Sequence, residues 1–246
     1  MNQNEAMIEM HLESLIRDGQ AREALKLILE LEQRSIAEKS EDFIISITQL
    51  AYLCRLHLGA CTPHELVQEL RIDELMIRAV QLGLIDTANT LAGDSDEYFK
   101  CLLIEALYNE GYISMVKEKL THIDHSLLIA AKAPYRDIAY IYAEILHDEE
   151  RYNEAAIIFE TLAEETPFMA KARFAACSCY LHETMNFLLG RIELYHPGKQ
   201  EQEKIEKYLN DITATLQIIH STHWHTEWSL SQNRRSLSEM PASTLH

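Results

Sequence analysis

Apolar residues recur at intervals of three and four along almost the whole chain, and no alternating stretch persists. That period lines apolar side chains along one face of a helix, whereas a half-buried strand needs a period of two. The pattern predicts successive helices with short breaks. The breaks are themselves patterned. Gly19, Gly59, Gly83 and Gly111 each follow an apolar-periodic run, as suits the left-handed residue that ends a helix. Pro134, Pro167 and Pro197 fall 33 and 30 residues apart, and proline commonly opens the helix after a finished one. Recurrence at about 30–34 residues marks a helical repeat array.

The clearest unit is "RDIAYIYAEILHDEERYNEAAIIFETLAEETP", Arg136 to Pro167. Its first helix carries Ala139, Tyr142, Ala143 and Leu146 on one stripe. "HDEER" makes the turn, and the second helix carries Tyr152, Ala155, Phe159 and Leu162. This unit is similar to a tetratricopeptide repeat. Ala143 and Ala155 match that family's small residues, and Tyr142, Leu146, Tyr152, Phe159 and Pro167 match its larger ones. Partial matches lie at His11–Leu31, which keeps Gly19 and Ala24, and at Leu102–Ile123, which keeps Gly111 but has Val116 for alanine. "FAACSCYL" (Phe174–Leu181) resembles the first helix of a further repeat, with Cys177 in the small slot and Tyr180 in the large one. "ETMNFLLGRIELYHP" would be its short second helix. The resemblance implies an all-α fold: a right-handed α-solenoid of antiparallel helix pairs, with a long C-terminal capping helix.

Four segments follow. Residues 1–95 read as a degenerate helical-repeat half, 96–197 as tetratricopeptide-like repeats, 198–228 as the capping helix, and 229–246 as a polar, aperiodic, disordered tail. With 246 residues, 47% of them hydrophobic, the chain can bury a sizeable core in one or two domains. Only 7 glycines and 5 prolines fit long helices better than many tight turns.

A formal charge of −17 argues against nucleic acid and anionic membrane surfaces, which need a basic face. It is compatible with a basic protein partner. Five cysteines, odd in number and with no CxxC pair, read as small buried residues in a reducing compartment. The N-terminus is polar and acidic, unlike a signal peptide, and no apolar run nears the ~20 residues of a membrane span. A cytoplasmic location is expected.

In the family this chain resembles, the first helices of the repeats line a concave groove that holds a peptide or helix. The corresponding residues here are Tyr98, Cys101, Glu105, Tyr108 and Asn109, then Tyr140, Glu144, His147 and Asp148, then Phe174, Ser178 and His182. Glu13, Glu105 and Glu144 take equivalent places in three units. Family members that clamp a C-terminal carboxylate use basic residues and asparagine there, so glutamate disfavours that activity. An acidic groove with tyrosines suits a basic or amphipathic segment.

"HSTHWHTEW" (His220–Trp228) holds three histidines and both tryptophans. On a helix, Ile205, Leu209, Ile212, Leu216 and Ile219 form one stripe, which His220, His223 and Glu227 extend. Those three could ligate zinc. Alternatively the helix is a terminal cap whose last turns outrun the core, as repeat arrays need. Trp224 and Trp228 either pack on the last repeat or contact a partner.

There is no phosphate-cradling glycine loop, GxSxG motif or dinucleotide fingerprint. The expected function is therefore non-catalytic and cofactor-free: protein or peptide binding as a scaffold, adaptor or chaperone. Two alternatives stay open. One is a structural subunit, a homo-oligomer, that self-assembles through the repeat surface. The other is a metal-dependent protein using His220, His223 and Glu227.

Overall fold

The computed structural model describes the backbone of residues 2–35, 39–63, 70–93, 96–164 and 169–238, and side chains over those ranges except 34, 35, 169, 220 and 222–238. The described residues are all-α, without strands. The chain divides into two compact units, residues 1–122 and 123–246.

The first unit contains α1 (Gln3–Arg17), α2 (Ala21–Ser35), α3 (Glu41–His57), α4 (Ile72–Gln81), α5 (Ile85–Ala92), α6 (Glu97–Asn109) and α7 (Ile113–Leu120). Consecutive helices pack on one another, and α3 also meets α1 and α5 while α4 meets α6. The core is built from the apolar stripes. Leu12, Ile16, Ala24, Ile28, Phe43, Leu50, Leu75, Met76, Ala79 and Leu107 are each at most 1% exposed. Val116 is fully buried in the position where the repeat pattern has alanine.

The predicted glycine stops are present. Gly19, Gly59, Gly83 and Gly111 have φ of 76°, 69°, 75° and 80°. Each donates its N–H to the carbonyl three residues back, and the next residue donates to the carbonyl five back, as from Gly19 to Ile16 and from Gln20 to Leu15. This pair of hydrogen bonds satisfies carbonyls that the helix end would leave orphaned. The same closure recurs after α9, where Glu150 bonds to His147 and Arg151 to Leu146. There the left-handed residue is Glu150, at φ 62°.

The second unit contains α8 (His125–Ala130), α9 (Arg136–Asp148), α10 (Tyr152–Ala163), α11 (Met169–Tyr195) and α12 (Lys199–Ser238). Helices α9 and α10 are the pair that the sequence marks most clearly. Ala143 and Ala155 are fully buried, and Leu146, Phe159 and Leu162 fill the surrounding core. Pro167 lies outside the described residues.

Beyond α10 the structure departs from the expected repeat. "FAACSCYL" and "ETMNFLLGRIELYHP" are not two helices but one, the 27-residue α11. Nothing between Leu181 and Asn186 stops a helix, and Gly190 lies inside it with no left-handed φ. The residues of α11 in the apolar core shared with α10 are Ala172, Ala176 and Cys179. Cys177, expected in the small slot, is exposed, and Tyr180 is 44% exposed. The register is set by a stripe of small residues that lets α11 lie close on α10.

After the loop at His196–Gly198, α12 packs on α11. Ile205 and Leu216 are buried, and Leu209, Ile212 and Ile219 half-buried, so the predicted stripe is the side of α12 turned inward. The helix continues past Trp228 to Ser238, so residues 229–238 are helical where the sequence reads as tail. Residues 239–246 lie outside the described set.

Candidate partner-binding faces

In the second unit α10 packs on both α9 and α11, and side chains of α9 and α11 meet at two points. At one end the Lys171 Nζ stands 4.1 Å from the Tyr140 ring centroid. At the other, the His147 and His182 rings meet edge to face, centroids 5.2 Å apart. Tyr152, which opens α10, completes that end. It meets His147 edge to face at 5.2 Å and stacks on His182 at 4.8 Å. Burial pushes the Tyr152 hydroxyl above the ordinary tyrosine value, and the nearby Glu150 carboxylate adds to the effect.

The positions between these two points belong to Glu144 on α9 and to Phe174 and Ser178 on α11. Glu144 is half-buried and Phe174 is 37% exposed. Tyr140 and Ser178, which the sequence assigns to the open face, are interior instead, at 4% and 5% exposure. The Tyr140 ring packs edge to face on Phe159, centroids 5.3 Å apart. The Ser178 Oγ has no hydrogen-bond partner among the described residues. The accessible part of this face is therefore Glu144, the partly exposed edges of His147 and His182, and the Phe174 ring.

In the first unit, α6 carries Tyr98, Glu105, Tyr108 and Asn109. Tyr98 is 54% exposed and meets Phe99 edge to face at 5.5 Å. Glu105 and Tyr108 are half-buried and Asn109 exposed, whereas Cys101, expected on the same open face, is buried at 6% exposure. Helical geometry puts Tyr98, Glu105 and Asn109 on one side of α6.

Glu13 is engaged within its own unit. It accepts from the Arg78 guanidinium at 3.0 Å and from Arg17 at 3.4 Å. Arg78 also reaches Glu9 at 2.6 Å, the Ser46 hydroxyl at 2.8 Å and the Gln49 side chain at 2.8 Å. The charge of Glu13 is matched within the unit, so it is not part of an open acidic surface. Sequence reasoning also missed Lys171 and the placement of Tyr152. Lys171 shares a helical face with Ser178 and His182, a signal visible only once the helix is known to be continuous.

The acid-rich turn at His147–Arg151 is tied down by its own residues. Arg151 forms a two-pronged bond to Glu154, at 2.8 and 2.7 Å, and lies 3.7 Å from Glu149. The Cys179 thiol nearby is pushed up to about 12 by burial, which suits a core residue rather than a nucleophile.

Among the described residues no group of three or more His, Cys, Asp or Glu side chains could hold a metal ion. The candidate ligands His220, His223 and Glu227, and the candidate contacts Trp224 and Trp228, lie on α12 where side chains are outside the described set. No described helix is long and apolar enough to cross a membrane.

The architecture thus defines an all-α protein in which, within each unit, helices pack on their neighbours in sequence. No protein-family model, curated protein or solved structure matches the chain.

Proposed function

We propose that this chain is a tetratricopeptide-like repeat protein that works without catalysis, as a scaffold, adaptor or chaperone that holds a segment of a partner protein. The observation that carries the reading is the α9–α11 face, where Tyr140–Lys171 and His147–His182 frame Glu144. Aromatic edges give contact area at low cost in conformational freedom, and a half-buried carboxylate gives charge selectivity. The partner segment is basic or amphipathic. Repeat construction is supported by the α9–α10 pair with its buried Ala143 and Ala155, and by the recurrent left-handed closure of helix ends. A cytoplasmic location is part of the same reading.

A display library of random peptides, selected on the whole protein, tests it. Recovered peptides should be enriched in lysine or arginine beside apolar residues. Glu144→Lys should abolish their binding with the helical circular dichroism unchanged. Acidic peptides, or binding indifferent to Glu144→Lys, would reject the face.

A further inference from the structure

We propose that the overhanging half of α11 is the contact surface between two copies of this chain. Helix α10 has 12 residues and α11 has 27. The stripe of α11 that lies against the α10 core runs Ala172, Ala176, Cys179. Continued at the same spacing, it runs Glu183, Phe187, Gly190, Leu194. Past the end of α10 that stripe loses its cover, and Phe187 is 66% and Leu194 76% exposed. Helix α12 does not supply it. The half-buried apolar side chains of this part of α11 are Leu181, Met185, Leu188 and Ile192. At about 100° per residue they fall on the opposite side. This part of α11 is thus apolar on two sides and covered on one.

Gly190 gives an independent reason to expect a close neighbour. A glycine inside a helix is unfavourable relative to alanine. A Cβ added at Gly190 would meet nothing within 4 Å, so nothing within the described chain requires its absence. Glycine between two large apolar residues is what a second helix needs to approach closely.

Charge and shape identify that helix as another copy. Residues 1–180 hold 31 acidic and 16 basic side chains, while residues 181–219 hold 6 and 4. Copies of so acidic a chain repel each other least here. The order Phe187–Gly190–Leu194 is self-complementary about a two-fold axis. Gly190 faces Gly190, and each Phe187 meets the Leu194 of the other copy. The same antiparallel crossing carries Glu183 of one copy toward the α11–α12 turn of the other, where Lys199 begins α12. Two α11–α12 hairpins joined this way form a four-helix layer, the usual way for paired helices to cover a second apolar side.

The proposal is independent of the partner face of α9 and α11, and its test does not involve Glu144. Sedimentation of the full chain across the micromolar range should show a dimer. Phe187→Glu, Leu194→Glu and Gly190→Leu should each halve the mass with unchanged helical circular dichroism. Phe187 and Leu194 are exposed, and a Cβ added at the half-buried Gly190 meets nothing within 4 Å, so folding should survive. In a Cys177→Ser background, Gly190→Cys should form a disulfide-linked dimer under mild oxidation, whereas Tyr208→Cys should not. A monomer at every concentration would overturn the proposal, as would a dimer indifferent to these changes. In the first case the stripe is left to a foreign helix; in the second the copies meet elsewhere.

Discussion

The Tyr152 ring stacks on the His182 imidazole, centroids 4.8 Å apart and planes within 9°. This contact joins the first residue of α10 to the middle of α11. Aromatic pairs contribute about 0.5–1.5 kcal/mol beyond buried area. A double-mutant cycle of Tyr152→Ala and His182→Ala, read by denaturant unfolding, should give a coupling of about 1 kcal/mol. His182→Phe should keep most of it, and a coupling near zero would show that the rings merely adjoin.

Glu150 occupies the left-handed position that glycine holds at four other helix ends. A side chain there costs roughly 1 kcal/mol. Glu150→Gly should therefore stabilise the second unit by about that amount, while Gly111→Ala should destabilise the first by a similar amount. Thermal midpoints moving in opposite directions would bear this out.

Arg78 satisfies two carboxylates on another helix, with 13% of its own side chain exposed. Arg78→Met leaves Glu9 and Glu13 partly buried without their cation, and should cost on the order of 3 kcal/mol. Adding Glu9→Gln and Glu13→Gln should recover much of the loss, because the stranded charges are removed. Urea unfolding of the single and triple variants decides it.

Glu5 is 1% exposed and joins the start of α1 to the start of α3. Its carboxyl is held below the usual glutamate value first by the Asn2 N–H, with the Ser40 hydroxyl and N–H assisting and burial opposing. A depressed folded value means stabilisation that is complete above the unfolded value of about 4.3 and lost as pH falls through the folded one. Glu5→Gln should lower the thermal midpoint near neutral pH, and the gap to the parent should close on acidification. A gap that persists at acid pH would assign the loss to shape rather than charge.

Burial pushes the Cys54 thiol up to about 11 and the Cys179 thiol up to about 12. Cys177 is exposed. Because the thiolate is the reactive form, an alkylating reagent at mildly alkaline pH should label Cys177 quickly. Cys54 and Cys179 should react only after unfolding. Mass spectrometry of the labelled peptides gives the order directly.

Much of this was legible before any coordinates. Helices, their apolar faces and four of their ends follow from local rules: a period near 3.6, and glycine where φ must be positive. The α9–α10 pair was legible for the same reason, since Ala143 and Ala155 interrupt large apolar residues at the spacing of close contact. The fifth helix end was visible as a charged turn, but Glu150 gave no sign of a left-handed backbone, because its neighbours impose that conformation. Of the candidate faces, the sequence placed Glu144 and Phe174 on an open side, but could not tell that Tyr140 and Ser178 face inward.

Sequence alone thus determined the all-α class, the apolar faces of the helices and the acidic character of the first 180 residues, all properties of near neighbours and composition. Tertiary structure decided the rest. It neutralised Glu13 with Arg78 from a helix 65 residues away in the chain. It brought Lys171 over Tyr140 and His182 against Tyr152, and ran α11 on past α10, leaving Phe187 and Leu194 uncovered. Each depends on which helices meet and where one of them ends, and so on distances in space that local periodicity does not encode.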